Sequence, residues 1–225
     1  MAKMDEVIDG VAPSLADRAH RRIEDMIVTG ALPPGAMISE NGLREQLNVG
    51  RTPIREALQR LRLEGFVDIH PSRGVQVTAV DFLKQLELLE LRRFLEDLAV
   101  QLAAERATPA ERSHMRGLAE AVMEAASLDE EHYLEVNRCI HEAIAVACKN
   151  QFIERTIRYV YSLSRRFWYA YIKDADSYKE GARMHAQTLR AIADGDGNQA
   201  AVSVRKLLDF LESLSRRAIE EKFGR

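Results

Sequence analysis

Arg51, Thr52, Arg55, Gln59 and Arg62 lie together in the stretch GRTPIREALQRLRLEG, residues 50–65. These residue types suit base reading. An arginine fork matches guanine O6 and N7, a glutamine pairs with adenine, and a helix N-terminus favours phosphate. Ile54, Ala57, Leu58 and Leu61 recur at i, i+3, i+4 and i+7, so one stripe of the same helix must enter a core. Arg55, Gln59 and Arg62 fall on the opposite side. Thr52 before Pro53 reads as an N-cap ahead of a first-turn proline, and Gly65 as a stop. Such a helix fits a DNA major groove. Taken alone, the window fits equally a surface helix with solvated arginines.

The elements around it decide between the two. Ser14 to Thr29 predicts a helix with Leu15, Ala19, Ile23, Met26 and Ile27 inward, ended by Gly30 and a tight turn at 32–35. A second, short helix follows Ser39, with Leu43 and Leu47 inward. Asn48-Val49-Gly50 links it to the arginine-bearing helix, which makes a helix-turn-helix. Residues 66–70 and 75–78 alternate around Pro71-Ser72-Arg73-Gly74 and predict a hairpin. Placed after a helix-turn-helix, that hairpin is a wing whose tip residue Arg73 is within reach of a minor groove or phosphate. Three helices and a wing account for nearly all of residues 14–78, and the solvated-helix alternative recedes.

The run LREQLNVGRTPIREALQRLRLEGFVDIHPSRGVQV resembles the winged helix of the GntR family of bacterial transcription regulators. Leu43, Leu47, Val49, Arg51, Thr52, Pro53, Arg55, Glu56, Ala57, Leu58, Leu61, Glu64 and Gly65 carry the likeness. Gly50 departs from it, standing where a serine usually caps the reading helix. Glycine still caps, at a cost of a few tenths of a kcal/mol. The resemblance implies that Arg51, Thr52 and Arg55 contact the operator, with Arg73 and Gly74 in the wing and Arg44 on a phosphate.

After Val80 the pattern is helical throughout. Asp81 caps a leucine-rich segment, Thr108-Pro109 opens the next, and Asp129 starts a third that Asn150 ends. Further helices are expected near 151–173, 177–193 and 198–222. Six helices with short joints predict an antiparallel bundle, so the chain is mainly α: an arm at 1–12, a winged helix-turn-helix at 13–79 and an all-helical domain at 80–225. This half resembles the FadR-type subfamily of the GntR family, with its FCD effector-binding domain. Glu90-Leu91-Arg92, Leu95-Glu96, Asn137-x-x-x-His141, Asn150, His185 and the turn at 191–201 carry that likeness.

The resemblance implies an effector site at Arg92, Asn137, His141 and His185. Members of the subfamily hold a divalent metal between an Asp-x-x-x-His pair and two later histidines, and the metal grips the carboxylate of a small acid. Here Asn137 stands for the aspartate, and Leu207 stands where the third histidine is expected. Asn137 and His141 still share a face at i, i+4. Zinc or nickel on His141 and His185 is one reading. A second is that both histidines are hydrogen-bonded polar groups lining a metal-free cavity, and a third that neither faces it. Arg92 is either the cation that grips a carboxylate or the partner of Glu96 at i+4. Trp168, Tyr169 and Tyr171 wall an aromatic ligand or belong to the core or a dimer contact.

Composition sets the outer bounds. The chain has 225 residues, 46% hydrophobic and 30% charged, with a net charge of −3. Residues 44–73 are mildly basic and most of the acid excess lies after residue 80, which suits a DNA-binding head on an acidic body. No apolar run is long enough for a bilayer and the first residues lack a signal-peptide core. Cys139 and Cys148 match neither a zinc knuckle nor a redox pair, as expected in a reducing cytoplasm. The expectation is a cytoplasmic, homodimeric transcription regulator, a repressor, that reads a palindromic operator and answers to a small organic acid. A metal-assisted enzyme tethered to DNA would need a carboxylate base beside the histidines. A structural DNA-binding protein without effector would need a filled bundle interior.

Overall fold

A computed structural model describes residues 14–70, 73–172 and 174–224. The expected N-terminal arm at 1–12 and the turn residues Pro71 and Ser72 lie outside the described residues. The chain divides into two compact units between Val80 and Asp81.

The first unit contains α1 (Leu15–Val28), β1 (Met37–Ile38), α2 (Glu40–Leu47), α3 (Arg51–Leu63), β2 (Val67–His70) and β3 (Gly74–Val77). Ser14 and Asp17 form a reciprocal capping box at the start of α1, and Ser39 caps α2. Asn48 takes the left-handed conformation (φ 51°) at the end of α2, which its short side chain tolerates. Gly65, at φ 80°, turns the chain from α3 into β2. Ile54, Ala57, Leu58 and Leu61 are buried against α1 residues such as Ile23 and Ile27, as the spacing predicts. Arg60 Nη1 donates to Asp17 Oδ1 at 2.7 Å, and buried His20 lies 2.6 Å from Glu64, so polar ties also fasten α1 to α3.

Two details differ from the sequence reading. The N-cap of α3 is Gly50, with extended backbone and no side-chain hydrogen bond, and Thr52 lies one residue inside the helix. Pro53 tolerates the third helical position as readily as the first, so it did not locate the cap. The wing is also a three-stranded antiparallel sheet in the order β1-β3-β2. Met37 and Ile38 pair with Gln76 and Val75. A two-residue strand leaves no alternation to read.

The second unit holds α4 (Phe82–Arg106), α5 (Pro109–Leu128), α6 (Glu130–Ala147), α7 (Gln151–Tyr171), α8 (Ala175–Asp194) and α9 (Gly197–Phe223). Each starts on a capping side chain: Asp81, Thr108, Asp129, Asn150, Asp174 and Asp196. Asn150 opens α7 rather than closing α6. Its Oδ1 accepts from the backbone of Phe152 and Ile153, while Lys149 at φ 51° makes the preceding turn. Helix α4 packs against α6, α7, α8 and α9. Its inward face carries Gln85, Arg92 and Glu96 among Leu89, Ala99, Val100 and Ala103. Arg112 of α5 donates to the carbonyls of Ala104, Ala107 and Ile192, which ties the C-terminal ends of α4 and α8 together.

Candidate functional site

The first unit presents its polar side chains outward. Arg51, Thr52 and Arg55 are exposed at the start of α3. Because Gly50 brings no side-chain acceptor, the first-turn backbone donors are uncapped, and a helix end in that state favours an anion. Arg55 Nε donates to Glu40 Oε2 of α2 at 3.0 Å. Among the described residues Arg51 makes no hydrogen bond or ion pair, so its guanidinium is uncommitted. Arg44 is half-buried, with Nη1 donating to Asn41 Oδ1 at 3.1 Å and a buried Nε without a partner. Arg62 Nε donates to Gln59 Oε1 at 3.3 Å, so these two side chains brace each other. In the wing Arg73 is exposed and Gly74 sits at φ 98°, a conformation few L side chains adopt.

The second unit turns a set of polar groups inward, around a cavity of about 30 Å³ lined by residues of α4, α6, α7, α8 and α9. All four residues of the expected effector site, Arg92, Asn137, His141 and His185, line it. Arg92 is 1% exposed. Its Nε donates to Glu96 Oε1 at 2.5 Å and its Nη1 to Ser164 Oγ at 2.8 Å. The expected Arg92–Glu96 pair is therefore present, but buried rather than on the surface. The His141 ring stacks on Tyr161 at 3.7 Å between centroids and meets His185 edge-on at 5.5 Å.

Burial, then the positive guanidiniums of Arg92 and Arg165, holds His141 well below the usual histidine range. Burial, with His141 beside it, brings His185 down to about 3 against the opposing pull of Glu96. Both imidazoles are neutral at ordinary pH. Asn137 Oδ1 and Tyr161 Oη are buried without a hydrogen-bond partner, the unsatisfied polar inventory of a ligand pocket rather than of a filled core.

These donors do not fit a zinc or nickel ion. Among the described residues no three His, Cys, Asp or Glu side chains gather as metal ligands. Asn137 is a neutral amide, and the two nearby arginines place positive potential on His141, which repels a dication. Leu207 is buried in α9 but does not line the cavity; Phe210, Leu211 and Leu214 do.

Of the three aromatics singled out, Trp168 lines the cavity. Tyr169 faces the Arg165 guanidinium, and Tyr171 packs on Phe82 and Phe167. Sequence reasoning missed Ser164, whose fully buried Oγ accepts from Arg92, Gln85 and Trp168. A mid-helix serine carries no signal of its own. Tyr133 of α6, Tyr161 of α7 and Tyr178 of α8 were also missed, although each is buried on the inward face of its helix.

Residues 15–77 match the family described as bacterial regulatory proteins, gntR family, and residues 87–210 match the FCD domain. The chain is 30% identical over 204 residues to the Nta operon transcriptional regulator of Aminobacter aminovorans, covering 89% of this chain and 96% of that protein. It is 27% identical to the HTH-type transcriptional regulator LutR of Bacillus subtilis, covering 87% and 99%. Among solved structures, E. coli McbR/YncC superposes with a TM-score of 0.79 at 23% identity, covering 91% of this chain and 98% of that one.

Proposed function

The chain belongs to the GntR family of bacterial transcription regulators with an FCD domain, and from that premise we propose how its parts divide the work. It is a DNA-binding regulator rather than an enzyme. We infer that α3 is the reading helix: Arg51 and Thr52 at its open end and Arg55 one turn on contact operator DNA, and Arg44, Arg73 and Gly74 approach the backbone or minor groove. The observation that carries this is the two-faced α3, with Ile54, Ala57, Leu58 and Leu61 fully buried while Arg51, Thr52 and Arg55 stand in solvent.

One head with a few base contacts discriminates weakly, because each good bidentate pair is worth about 1–3 kcal/mol. Two heads on a palindrome double the set, so the protein acts as a homodimer. The exposed apolar side chains of α4, with Leu83, Leu91 and Leu98 around an 81%-exposed Phe94, support the helical unit as the dimerising one. Its action is repression, in the cytoplasm where the operator lies. No described helix is long and apolar enough to cross a membrane.

The effector is a small organic acid bound among Arg92, Asn137, His141 and His185, without metal. Arg165 adds to the Arg92–Glu96 pair and leaves positive potential at His141, which favours an anion. The cavity has room for only a water or two at its present size, so an acid would displace its walls, and that displacement would couple binding to DNA release. A hundredfold loss of operator affinity needs about 2.8 kcal/mol of preference for the released form. The test is a thermal-shift screen of small carboxylic acids on the purified protein, followed by operator release with each hit. Hits that raise the melting temperature and release DNA are expected, and Arg92→Met should abolish both responses. Melting shifts confined to uncharged compounds would remove the acid from this reading.

A further inference from the structure

Arg55 differs from Arg51 in being tethered. Its Nε donates to Glu40 Oε2 at 3.0 Å, a bond from α3 to the first residue of α2, fifteen positions earlier in the chain. Both side chains remain accessible, at 60% and 35%, so the pair is screened by water and adds little net stability. Its consequence is directional. A free arginine samples many rotamers and takes a phosphate as readily as a base. With Nε engaged, the guanidinium offers only its Nη1 and Nη2 edge, the edge that forks onto guanine O6 and N7. The carboxylate also opposes the alternative: if Arg55 swung onto the backbone, Glu40 would be left unpaired beside phosphates of its own sign.

We propose that Glu40 is a specificity-determining residue, which positions Arg55 for a base and bars it from the phosphate backbone. It rests on the reading of α3 above. Arg51, with no tether, supplies salt-dependent affinity to phosphate, while Arg55 under the control of Glu40 supplies discrimination between sequences. Removing an acidic group from a DNA-facing surface ordinarily strengthens binding to any duplex. Here it should weaken the choice of sequence at the same time, a pairing that a merely structural or merely repulsive carboxylate does not produce.

The experiment uses the full-length protein and two labelled duplexes: the palindrome it enriches from a random-sequence pool, and a scrambled duplex of the same composition. Fluorescence anisotropy at several salt concentrations gives the affinity for each. For Glu40→Gln the ratio of specific to nonspecific affinity is expected to fall about tenfold, with nonspecific affinity equal or higher and the melting temperature unchanged. For Arg51→Ala both affinities should fall together and the salt dependence should flatten. In an Arg55→Ala background, Glu40→Gln should have no further effect on the ratio.

An unchanged ratio in Glu40→Gln, with the ratio lost in Arg55→Ala, overturns the role of Glu40 and leaves α3 as the reader. A ratio that survives Arg55→Ala overturns both. Loss of discrimination by Glu40→Gln even in the Arg55→Ala background would mean that Glu40 acts independently of Arg55, and this too overturns the proposal.

Discussion

The two units use the same residue type in opposite ways. In the first, arginines 51 and 55 stand in water on a helix whose other face is wholly apolar. In the second, Arg92 is sealed inside, balanced by Glu96 and Ser164. A surface that meets a polyanion keeps its charges solvated until the partner arrives, so function there costs the fold almost nothing. A pocket that must recognise a small molecule holds its polar groups out of water beforehand. Each of those groups then weighs on stability as well as on binding.

The widest separation between the units should come from matched substitutions. Arg92→Ala leaves Glu96 buried without its cation, and such a loss costs about 3–5 kcal/mol. Arg55→Ala should change stability by no more than about 0.5 kcal/mol while lowering operator affinity on the order of a hundredfold for a dimer that uses the contact twice. Denaturant melts followed by far-ultraviolet circular dichroism, which senses the helices of both units, alongside operator titrations, measure both. Equal stability losses would erase the distinction between the units.

A smaller shift of opposite sign tests whether the pocket's polar groups serve ligand rather than fold. Asn137 Oδ1 is buried without a partner, so Asn137→Leu should remove a desolvation cost of about 1 kcal/mol and raise the melting temperature by about 2–4 °C. The response to acid effectors should disappear in the same variant. A fall in melting temperature would assign Asn137 to the scaffold.

The finest test is acid. His185 titrates near 6.5 when unfolded and near 3 when folded. Below pH 6.5 the unfolded chain gains protons that the native one refuses, and the helical unit loses stability on the order of 1.4 kcal/mol per pH unit toward pH 3. Asp17 in the first unit is lowered to about 2 from 3.8, first by Ser14 and then by Arg60. Its contribution is present above pH 3.8 and is lost only as pH falls through that lower window. Hydrogen exchange should therefore show α6 and α8 amides loosening near pH 5 while those of α1 and α3 stay protected. Simultaneous loosening would contradict this order.

How much was legible in the sequence follows the same divide. An outward-facing function can be read from one helix, because the stripe that buries Ile54 and Leu58 also says where Arg55 points. The hairpin of the wing and all six later helices announced themselves through periodicity, and Asp81, Thr108 and Asp129 also through their place as caps, whereas Asn150, Asp174 and Asp196 were not read as the caps they are. The pocket was legible only by likeness. Period 3.6 shows that His141 or Trp168 faces inward but not which neighbouring helix it meets. Tyr161 joins the lining and Ser164 meets Arg92 only when α7 is laid against α4 and α6. The second strand partner of the wing, Met37-Ile38, was too short to carry a pattern, and Gly50 displaced Thr52 as the cap because proline tolerates several first-turn positions.

Arg112 adds a mechanical consequence. By gripping the last carbonyls of α4 and α8 with one planar group, it makes those two helix ends a common spine. Swelling of the chamber around a guest must then be taken up at the far margin, where Tyr133 already presses against Gly181 and a methyl in place of that glycine's hydrogen would lie 2.6 Å from the phenol oxygen. A guest that swelled the chamber would then splay α6 from α8 at that margin, with the spine as pivot.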